Sequence, residues 1–473
     1  HTSTSVSLAC GLAKARDLKG GHENIIAVIG DGSLSGGEAY EGLSNAGEMG
    51  TNLIIVVNDN EMSIAENHGG LYQNLKELRD TEGRSSCNFF RSLGLDYLYV
   101  GEGNDIPSLV AAFAKVKDTS RPTVVHIHTQ KGKGYAPAEA DREEFHWEMP
   151  FDLETGKPKV DCSGMEDYHS LTGKFLLEKM KEDHTVVAIS SGTPTVIGFT
   201  PERRKQAGRQ FVDVGIAEEH AVALASGIAA GGGHPVYGVY STFIQRCYDQ
   251  LSQDLCINGN PAVITVFMGT VAGMNDVTHL GFFDIPLISN IPNMVYLAPT
   301  CSEEYFAMLE WAVRQTEYPV AIRVPGVAVV HRKEEFDTDY SELNRYKMTA
   351  RGETVAILAL GSFYDLGQAL KNKLREESGV EATLINPRYI TGLDEPMLEE
   401  LKVGHRIVVT LEDGVLDGGF GEKIARYYGN SEMRVLNYGL RKEFADRYNL
   451  DELMKTNRLT DKQMAEDIAG ILE

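Results

Sequence analysis

Apolar runs that alternate with amphipathic helical segments constrain the fold of this 473-residue chain more than any other feature. Near its start the runs read NIIAVIGDG, NLIIVVNDN and RPTVVHIHTQ, and a helical segment over 37–49 separates the first two. Continuous apolar runs of this length are typical of strands in a parallel sheet whose two faces are covered by helices. The pattern therefore predicts an α/β fold.

The same alternation recurs along the chain and predicts three successive α/β domains with mainly parallel sheets. Later runs include HTVVAISSG and PAVITVFMG, and then TVAILALGS and HRIVVTLEDG. A charged segment over 138–164 contains Pro150 and Pro158 and interrupts the rhythm, so we interpret it as a linker. We place the three domains at 1–150, 165–335 and 345–473.

Composition argues against several classes of function. The formal net charge of −23 is spread along the chain, which argues against nucleic acid as a partner. No apolar stretch approaches the roughly 20 residues that span a bilayer, so we expect no membrane insertion. The six cysteines lie far apart without a CxxC pair, which predicts neither a zinc site nor a disulfide framework and favours a reducing, cytoplasmic compartment. The chain begins inside a helix-like segment without an initiator methionine, so we expect further sequence upstream.

Two polar turns follow consecutive predicted strands, GDG at 30–32 and NDN at 58–60. Ligands of parallel sheets bind beyond the carboxyl ends of the strands, so Asp31 and Asn60 are expected to face one site. Glycines 30 and 32 permit a close backbone approach, and the start of the following helix suits phosphate. Carboxylate and amide oxygens suit Mg²⁺ bound to a diphosphate. Each turn alone is equally explained as an ordinary strand-to-helix turn or polar cap, but the pair favours a site.

The spacing of the two turns resembles the thiamine diphosphate motif, and the resemblance extends along most of the chain. Eight segments carry it, in the order HTSTSVS, GDGSLSGGEAYEGLSNAG, NDNEMSIAEN, KGKGYAPAEAD, DVGIAEEHAV, YSTFIQRCYDQ, THLGFFD and LINPRYI. Together they resemble the 1-deoxy-D-xylulose-5-phosphate synthase family of transketolase-like enzymes. The resemblance implies a diphosphate-binding domain, a pyrimidine-binding domain and a transketolase-like C-terminal domain, in that order.

The same resemblance implies a cofactor site for thiamine diphosphate and Mg²⁺. Asp31 and Asn60 would give side-chain oxygens to the metal, and Met62 would give its backbone carbonyl. The other implied contacts to the cofactor are His1, Gly30, Gly32, Ser33, Ile64, Lys131, Glu218 and Phe243.

Glu218 and Glu219 begin a predicted helix in FVDVGIAEEHAVALASG. Acidic residues at a helix N-terminus complement its dipole, typically by 0.3–1 kcal/mol, which explains a carboxylate there without any function. The resemblance aligns Glu218 with the glutamate that bonds the aminopyrimidine ring of thiamine diphosphate, so we predict that it is catalytic. Phe243 aligns with an aromatic residue that stacks on the same ring, although an aromatic residue beside a strand is more often part of the core.

A phosphorylated aldehyde needs cationic donors, and arginine binds phosphate through a planar fork of N–H groups. The resemblance aligns Arg246 and Arg323 with phosphate-binding positions, and we add Tyr240 to this set. His279 and His146 match histidines near the reacting carbons, where an imidazole passes protons near neutral pH. Either one is equally explained as an ordinary structural histidine.

Departures from the family pattern fall around the predicted acceptor pocket rather than the cofactor motifs. FMGT at 267–270 stands where the family typically has Asp-Arg-Ala-Gly. Asn275 replaces an aspartate, although Asp276 is adjacent, and a PRG motif is reduced to Pro325 and Gly326. The chain is also shorter than the family after Tyr72.

The resemblance implies a homodimeric transferase that condenses pyruvate with glyceraldehyde 3-phosphate, with loss of CO₂, to 1-deoxy-D-xylulose 5-phosphate for isoprenoid synthesis. One alternative is a transketolase-type enzyme that moves a two-carbon ketol unit between sugar phosphates with the same cofactor site. A second alternative is a thiamine diphosphate-binding protein without turnover. Pyruvate-dependent release of CO₂ separates the first two, and the presence of Glu218 argues against the third.

Overall fold

The computed structural model describes residues 2–160 and 164–472, and within them it has three β-sheets, each inside one predicted domain range. Two compact units divide the chain. The first comprises the described residues of 1–165, 190–194 and 213–220, and the second comprises 166–189, 195–212 and the described residues from 221 onward. The predicted α/β fold with mainly parallel sheets is confirmed.

The first sheet has four parallel strands in the order β1-β2-β4-β3. Its strands are β1 (Ile26–Gly30), β2 (Ile54–Asp59), β3 (Asp96–Val100) and β4 (Thr123–His128). The helices of this part are α1 (Ser5–Leu18), α2 (Gly37–Glu48), α3 (Gly70–Asp80), α4 (Phe89–Ser92), α5 (Ile106–Val116) and α6 (Ala136–Ala140). Gly30 pairs with Asn58 in register, so the GDG and NDN turns leave the sheet at the same edge.

The predicted helix over 37–49 forms as α2, because its small and apolar residues recur on one face. Ala39, Leu43 and Ala46 are buried in a core that also contains Ala27 and Ile29 of β1. Residues three and four apart share one face of a helix, which explains the packing. One face of α2 therefore belongs to the core that supports the end of β1.

The second sheet has six strands in the order β6-β5-β7-β8-β10-β9, and the pairs for which the register is described are parallel. Its strands are β5 (Val186–Ser190), β6 (Phe211–Asp213), β7 (His234–Tyr240), β8 (Val263–Phe267), β9 (Val295–Leu297) and β10 (Val320–Arg323). The helices that belong with it are α7 (Tyr168–Glu182), α8 (Pro201–Ala207), α9 (Glu218–Ala230), α10 (Asp284–Ser289) and α11 (Ser302–Arg314).

The third sheet has five strands in the order β11-β13-β12-β14-β15, and its edge strand β11 is antiparallel to β13. Its strands are β11 (Lys347–Ala350), β12 (Thr354–Ala359), β13 (Thr383–Asn386), β14 (His405–Val415) and β15 (Arg434–Leu440). Its helices are α12 (Tyr364–Ser378), α13 (Glu395–Gly404), α14 (Phe420–Tyr428), α15 (Leu450–Thr456) and α16 (Asp461–Leu472).

The segment interpreted as a linker is folded over much of its described length. It contains the end of α6, a short 3₁₀ turn over Glu144–His146 and a β-bridge between Phe151 and Pro158. The rings of Tyr135, Phe145 and Phe151 lie 5.4–5.9 Å apart and form a small aromatic cluster. These contacts give the segment local structure within the first unit, and its interpretation as an inter-domain linker stays a prediction.

Two general features complete the description. Among the described residues, no helix is both long enough and apolar enough to cross a membrane. The described cysteines Cys10, Cys87, Cys247, Cys256 and Cys301 carry free thiols. Cys162 and the predicted cofactor residue His1 lie outside the described residues.

Candidate cofactor and substrate site

Asp31 is a buried carboxylate directly after β1. Its backbone N–H donates to the carbonyl of Asn58 at 3.0 Å, which fixes the turn against the end of β2. The side chain is 1% exposed, and its Oδ2 accepts a 2.7 Å hydrogen bond from Nδ2 of Asn67. Burial, and then the charge of Asp59, raise the pKa of Asp31 to about 7, although the N–H of Asn60 and other donors lower it. A carboxylate in this position is stabilised by a cation.

The turn around Asp31 has one position at which only glycine fits. A Cβ on Gly32 would lie 2.8 Å from Cβ and 2.9 Å from Cα of Ser63, so a larger residue would displace that backbone. A Cβ on Gly30 would meet no atom within 4 Å, so packing within the chain does not demand glycine there. A 3₁₀ turn over Gly32–Ser35 follows, and α2 begins only at Gly37. A short 3₁₀ turn that includes Ser33 thus separates Asp31 from the predicted helix.

Asn60 and Met62 lie in the turn that follows β2. The Oδ1 of Asn60 accepts the N–H of Met62 at 3.2 Å, which closes a tight side-chain turn. The residue between them, Glu61, has a φ of +67°. Gly30 pairs with Asn58 in register and the N–H of Asp31 donates to the carbonyl of Asn58, so the turns that carry Asp31 and Asn60 are adjacent.

Lys131 follows β4 and holds the segment after the NDN turn. Its Nζ donates to the carbonyl of Ser63 at 2.6 Å and to that of Ile64 at 3.3 Å. Burial lowers the pKa of Lys131, and the nearby charge of Asp31 opposes that effect. His146 lies in the same region as Lys131. Desolvation of the His146 ring, and then the charge of Lys131, lower the pKa of His146. The predicted residues Ile64, Lys131 and His146 are therefore gathered near Asp31.

Glu218 is the first residue of α9, and its side chain is 3% exposed. The loop before it belongs to the first unit. There the N–H of Ile216 donates to Oγ of Ser35 at 2.9 Å, and that hydroxyl donates to the carbonyl of Gly32 at 2.8 Å. Oδ1 of Asp213 accepts the N–H groups of Gly192 and Gly215, each at 2.9 Å. The loop that carries Glu218 is thereby tied to the GDG turn.

The predicted substrate residues of the second unit form a row of rings at the ends of strands. Tyr240 ends β7, and its ring lies 5.6 Å from that of Phe243, which lies 5.6 Å from that of His279. Nδ1 of His279 lies 2.9 Å from Oδ1 of Asp276. On the other side of Tyr240, the ring of His169 lies at 6.2 Å. Tyr240, Phe243 and His279 are thus neighbours.

The two predicted arginines have different surroundings. Arg246 lies in a short 3₁₀ turn, Ile244–Cys247, directly after Phe243. Arg323 is 3% exposed, and its Nε donates to Asp284 at 2.8 Å while Nη2 donates to the carbonyl of Asp413 at 2.6 Å. Despite its burial, the carboxylates of Asp284 and Asp413 raise the pKa of Arg323. Arg323 already bonds Asp284 and Asp413, and its phosphate role stays a prediction.

The donor set near Asp31 suits a hard cation. Within the part of the chain that the structure describes, no group of three or more His, Cys, Asp or Glu side chains is placed to bind a metal. The predicted set of one carboxylate, one amide oxygen and one backbone carbonyl consists of ligands that Mg²⁺ accepts. The buried Asp31 carboxylate, with its raised pKa, fits this use.

Sequence reasoning missed several residues that support the site. Asn67 bonds Asp31, Ser35 links the GDG turn to the loop before Glu218, and Arg79 bonds the acids on either side of Asn60. Ser35 and Asn67 lie inside two of the quoted motifs, which was the available signal. Arg79 lies in α3 and no motif contains it.

Matches to two transketolase domains place the chain among transketolase-like proteins, a class that uses thiamine diphosphate. Residues 166–329 match the pyrimidine-binding domain of transketolase, and 345–464 match the transketolase C-terminal domain. Residues 1–88 match the family described as 1-deoxy-D-xylulose-5-phosphate synthase.

Curated relatives extend this match over the whole chain. The chain is 35% identical over 511 residues to the 1-deoxy-D-xylulose-5-phosphate synthase of Clostridium tetani (strain Massachusetts / E88), covering 100% of this chain and 81% of the relative. It is 36% identical to the synthase of Lachnoclostridium phytofermentans, over 90% of this chain and 73% of the relative. The chain therefore belongs to the 1-deoxy-D-xylulose-5-phosphate synthase family.

Solved structures show the same fold at low sequence identity. A transketolase from Pichia stipitis in complex with sedoheptulose-7-phosphate superposes with a TM-score of 0.54 at 16% identity, over 99% of this chain and 79% of that one. A split-gene transketolase, described as an inactive β4 tetramer, gives a TM-score of 0.53 at 20% identity, over 65% of this chain and 98% of that one. At these identities the likeness concerns the fold alone.

Proposed function

We propose that this chain is a transferase that condenses pyruvate with glyceraldehyde 3-phosphate, with loss of CO₂, to 1-deoxy-D-xylulose 5-phosphate. The product is a precursor for isoprenoid synthesis. The observation that carries the proposal is the close approach of Asp31 and Asn60 at neighbouring strand ends, in a chain that belongs to the synthase family. That arrangement supplies the oxygen ligands that a metal-bound diphosphate requires.

The residues of the first unit have separate tasks in the proposed cofactor site. Asp31, the amide oxygen of Asn60 and the carbonyl of Met62 would hold Mg²⁺. Gly30, Gly32, Ser33, Ile64 and Lys131 would line the rest of that site. When bound, thiamine diphosphate supplies the carbanion chemistry for decarboxylation and carbon–carbon bond formation.

Glu218 would orient the cofactor and place a proton on it. Its carboxyl group is buried at the start of α9. Water competes little for a hydrogen bond between this carboxyl group and a ring nitrogen of the cofactor. The loop that carries it is anchored through Ile216, Ser35 and Asp213, which limits its movement. A fixed position matters, because proton transfer requires hydrogen-bond distance between the two groups.

The remaining predicted residues would contact the substrates or the cofactor ring. Tyr240 and Arg246 would bind the phosphate of the aldehyde, and Phe243 would stack on the pyrimidine ring of the cofactor. His279 and His146 would donate or accept protons, since imidazole changes its charge near neutral pH. Asp276 fixes the orientation of the His279 ring.

The test is CO₂ release from pyruvate by the purified chain with thiamine diphosphate and Mg²⁺, with and without glyceraldehyde 3-phosphate. We expect the rate of CO₂ release to increase at least tenfold when the aldehyde is present. In the Glu218→Gln variant this rate should fall at least a hundredfold. Glu219→Gln is the matched control, because it changes the next acid of the same helical turn, and it should retain activity within threefold. Cofactor binding without CO₂ release in the unchanged chain would overturn the proposal.

The two alternatives predict different results in the same assay. A transketolase-type enzyme would use ketose phosphates as donors and release no CO₂ from pyruvate. A binding protein would take up the cofactor and process neither donor. The match of residues 1–88 to the synthase family favours the first proposal over both.

We also propose that the protein is a cytoplasmic homodimer. The family resemblance supports the dimer, and five free thiols are consistent with a reducing compartment. Sedimentation equilibrium should give about twice the chain mass of 52.0 kDa. A species of the chain mass at micromolar concentration would contradict the dimer.

A further inference from the structure

We propose that Arg79 is a positioning residue for the cofactor metal, because it fixes the turn that presents Asn60 and the Met62 carbonyl. This inference rests on the proposed function in one respect, the metal-ligand role of Asn60 and Met62. Arg79 lies in the last turn of α3 and is itself no ligand.

The turn has an unfavourable backbone conformation. Glu61, between the two proposed ligands, has a φ of +67°, in the left-handed region that residues with a Cβ seldom occupy. Such conformations persist only where surrounding contacts impose them. If Glu61 relaxed to a negative φ, the peptide that follows it would rotate and the Met62 carbonyl would point elsewhere.

Arg79 bonds the acids on both sides of Asn60. Its Nη1 lies 2.5 Å from Oδ2 of Asp59, and its Nη2 lies 3.4 Å from Oε2 of Glu61. The guanidinium is 12% exposed and the Asp59 carboxylate is fully buried, so solvent screens the first contact little. A planar fork reaches two carboxylates at once, whereas the single ammonium group of lysine does not reproduce this geometry.

Further hydrogen bonds connect the same two acids to the sheet. Oδ1 of Asp59 accepts the N–H of Glu61 at 3.1 Å, and Oδ2 lies 2.9 Å from Nε2 of His126 on β4. Oε1 of Glu61 lies 3.0 Å from Nε2 of His128, also on β4. Strand β4 therefore holds one side of the turn around Asn60. Arg79 joins the other side of this turn to α3.

Loss of Arg79 would act on metal binding. The buried Asp59 would lose its arginine partner, and Glu61 would lose one of the contacts that impose its left-handed conformation. We expect the dissociation constant for Mg²⁺, measured calorimetrically in the presence of thiamine diphosphate, to rise at least tenfold in Arg79→Met and Arg79→Lys. At saturating Mg²⁺, kcat and the KM for the aldehyde should return to within threefold of the unchanged chain.

Two further variants distinguish positioning from a general structural role. Arg84→Met is the matched control, because Arg84 is an exposed arginine nearby that bonds Glu82, and its Mg²⁺ affinity should be unchanged. In the double variant Arg79→Met with Glu61→Gly, glycine adopts the positive φ without strain. We expect it to recover at least threefold of the lost affinity.

Three results would overturn the inference: unchanged Mg²⁺ affinity in both Arg79 variants, an equal loss in Arg84→Met, or no recovery in the double variant. If Arg79→Met does not fold, as judged by circular dichroism, Arg79→Lys and the double variant decide. Binding is measured without pyruvate, so a failure of the proposed reaction leaves this inference standing while the unchanged chain binds Mg²⁺ with the cofactor. Absence of that binding in the unchanged chain would remove both.

Discussion

Two neighbouring side chains, Asn275 and Asp276, have different partners although the family pattern has a single aspartate near this point. Nδ2 of Asn275 donates to the carbonyl of Tyr448 at 3.0 Å, a contact within the fold. Oδ1 of Asp276 accepts the hydroxyl of Thr278 at 2.5 Å and lies 2.9 Å from Nδ1 of His279. Burial raises the pKa of Asp276, but these hydrogen bonds lower it to about 2, so the carboxylate is ionised at neutral pH. We therefore infer that Asp276, which contacts His279, is the one of the two side chains that serves the predicted site.

We expect Asp276→Ala to lower kcat/KM for aldehyde-dependent CO₂ release at least tenfold, because the His279 ring loses the acceptor that fixes its orientation. Its free energy of unfolding should change by less than about 1 kcal/mol, since the pair is partly exposed. Asn275→Ala should instead lower the free energy of unfolding by about 1 kcal/mol, because it removes the hydrogen bond to Tyr448, and should leave kcat/KM within threefold of the unchanged chain. Steady-state kinetics and urea unfolding check both. Equal kinetic losses in the two variants would contradict this assignment.

A glycine-rich segment lies at the N-terminus of helix α14. This segment, GGFG at 418–421, has the composition of a phosphate site. The first N–H groups of α14, however, already bond a side chain of the protein. Glu412 of β14 is fully buried and accepts the N–H groups of Phe420 and Gly421, each at 2.8 Å. A Cβ on Gly419 would lie 2.4 Å from Oε2 of Glu412, so the glycine makes room for this carboxylate. The glycine-rich sequence here serves packing and helix capping.

The Glu412 cap predicts a pH dependence of stability. Burial raises the pKa of Glu412 to about 7, although the two N–H groups and Lys423 lower it. Between pH 4.5 and 7 the folded state therefore binds more protons than the unfolded state, and the free energy of unfolding falls as pH rises. Relative to Glu412→Gln, which does not titrate, the unchanged chain should lose on the order of 2 kcal/mol across this window.

Urea unfolding at a series of pH values measures that difference. Glu422→Gln is a suitable control, because Glu422 lies in the same helix and is exposed, and its profile should run parallel to that of the unchanged chain. Parallel profiles for Glu412→Gln as well would show that burial of Glu412 does not control this titration.

Elements whose pattern is local were predictable from sequence, and contacts between distant segments were not. The predicted helix over 37–49 forms over Gly37–Glu48, because its apolar spacing alone specifies one buried face. The folded segment around Phe145 and Phe151 was missed, since three aromatic rings stabilise it only after the chain brings them together. The burial of Arg323 depends on Asp284 and Asp413, which lie far from it in sequence. The motifs therefore predict residues of the site, whereas the contacts that support those residues are visible only in the folded chain.

Over the whole molecule, the net charge of −23 opposes folding, because like charges are closer in the compact state than in the unfolded chain. Several carboxylates, among them Asp31, Glu412 and Asp413, are also buried with a raised pKa. Salt screens the long-range part of this repulsion, since the Debye length falls from about 30 Å at 0.01 M to about 8 Å at 0.15 M ionic strength. Salt screens the interactions of buried groups much less.

We therefore expect the Tm of the cofactor-free chain at pH 7.5 to rise by roughly 1–2 °C when NaCl is increased over that range, which corresponds to about 1–2 kcal/mol for a chain of this size. NaCl is the right salt, because a magnesium salt would add the proposed binding at Asp31 to the screening. The control is the same pair of scans near the isoelectric point, about pH 5.0, where the net repulsion vanishes and the rise should disappear. A rise of equal size at both pH values would mean that salt acts by strengthening apolar burial, and that the acidic surface contributes little to the stability of this protein.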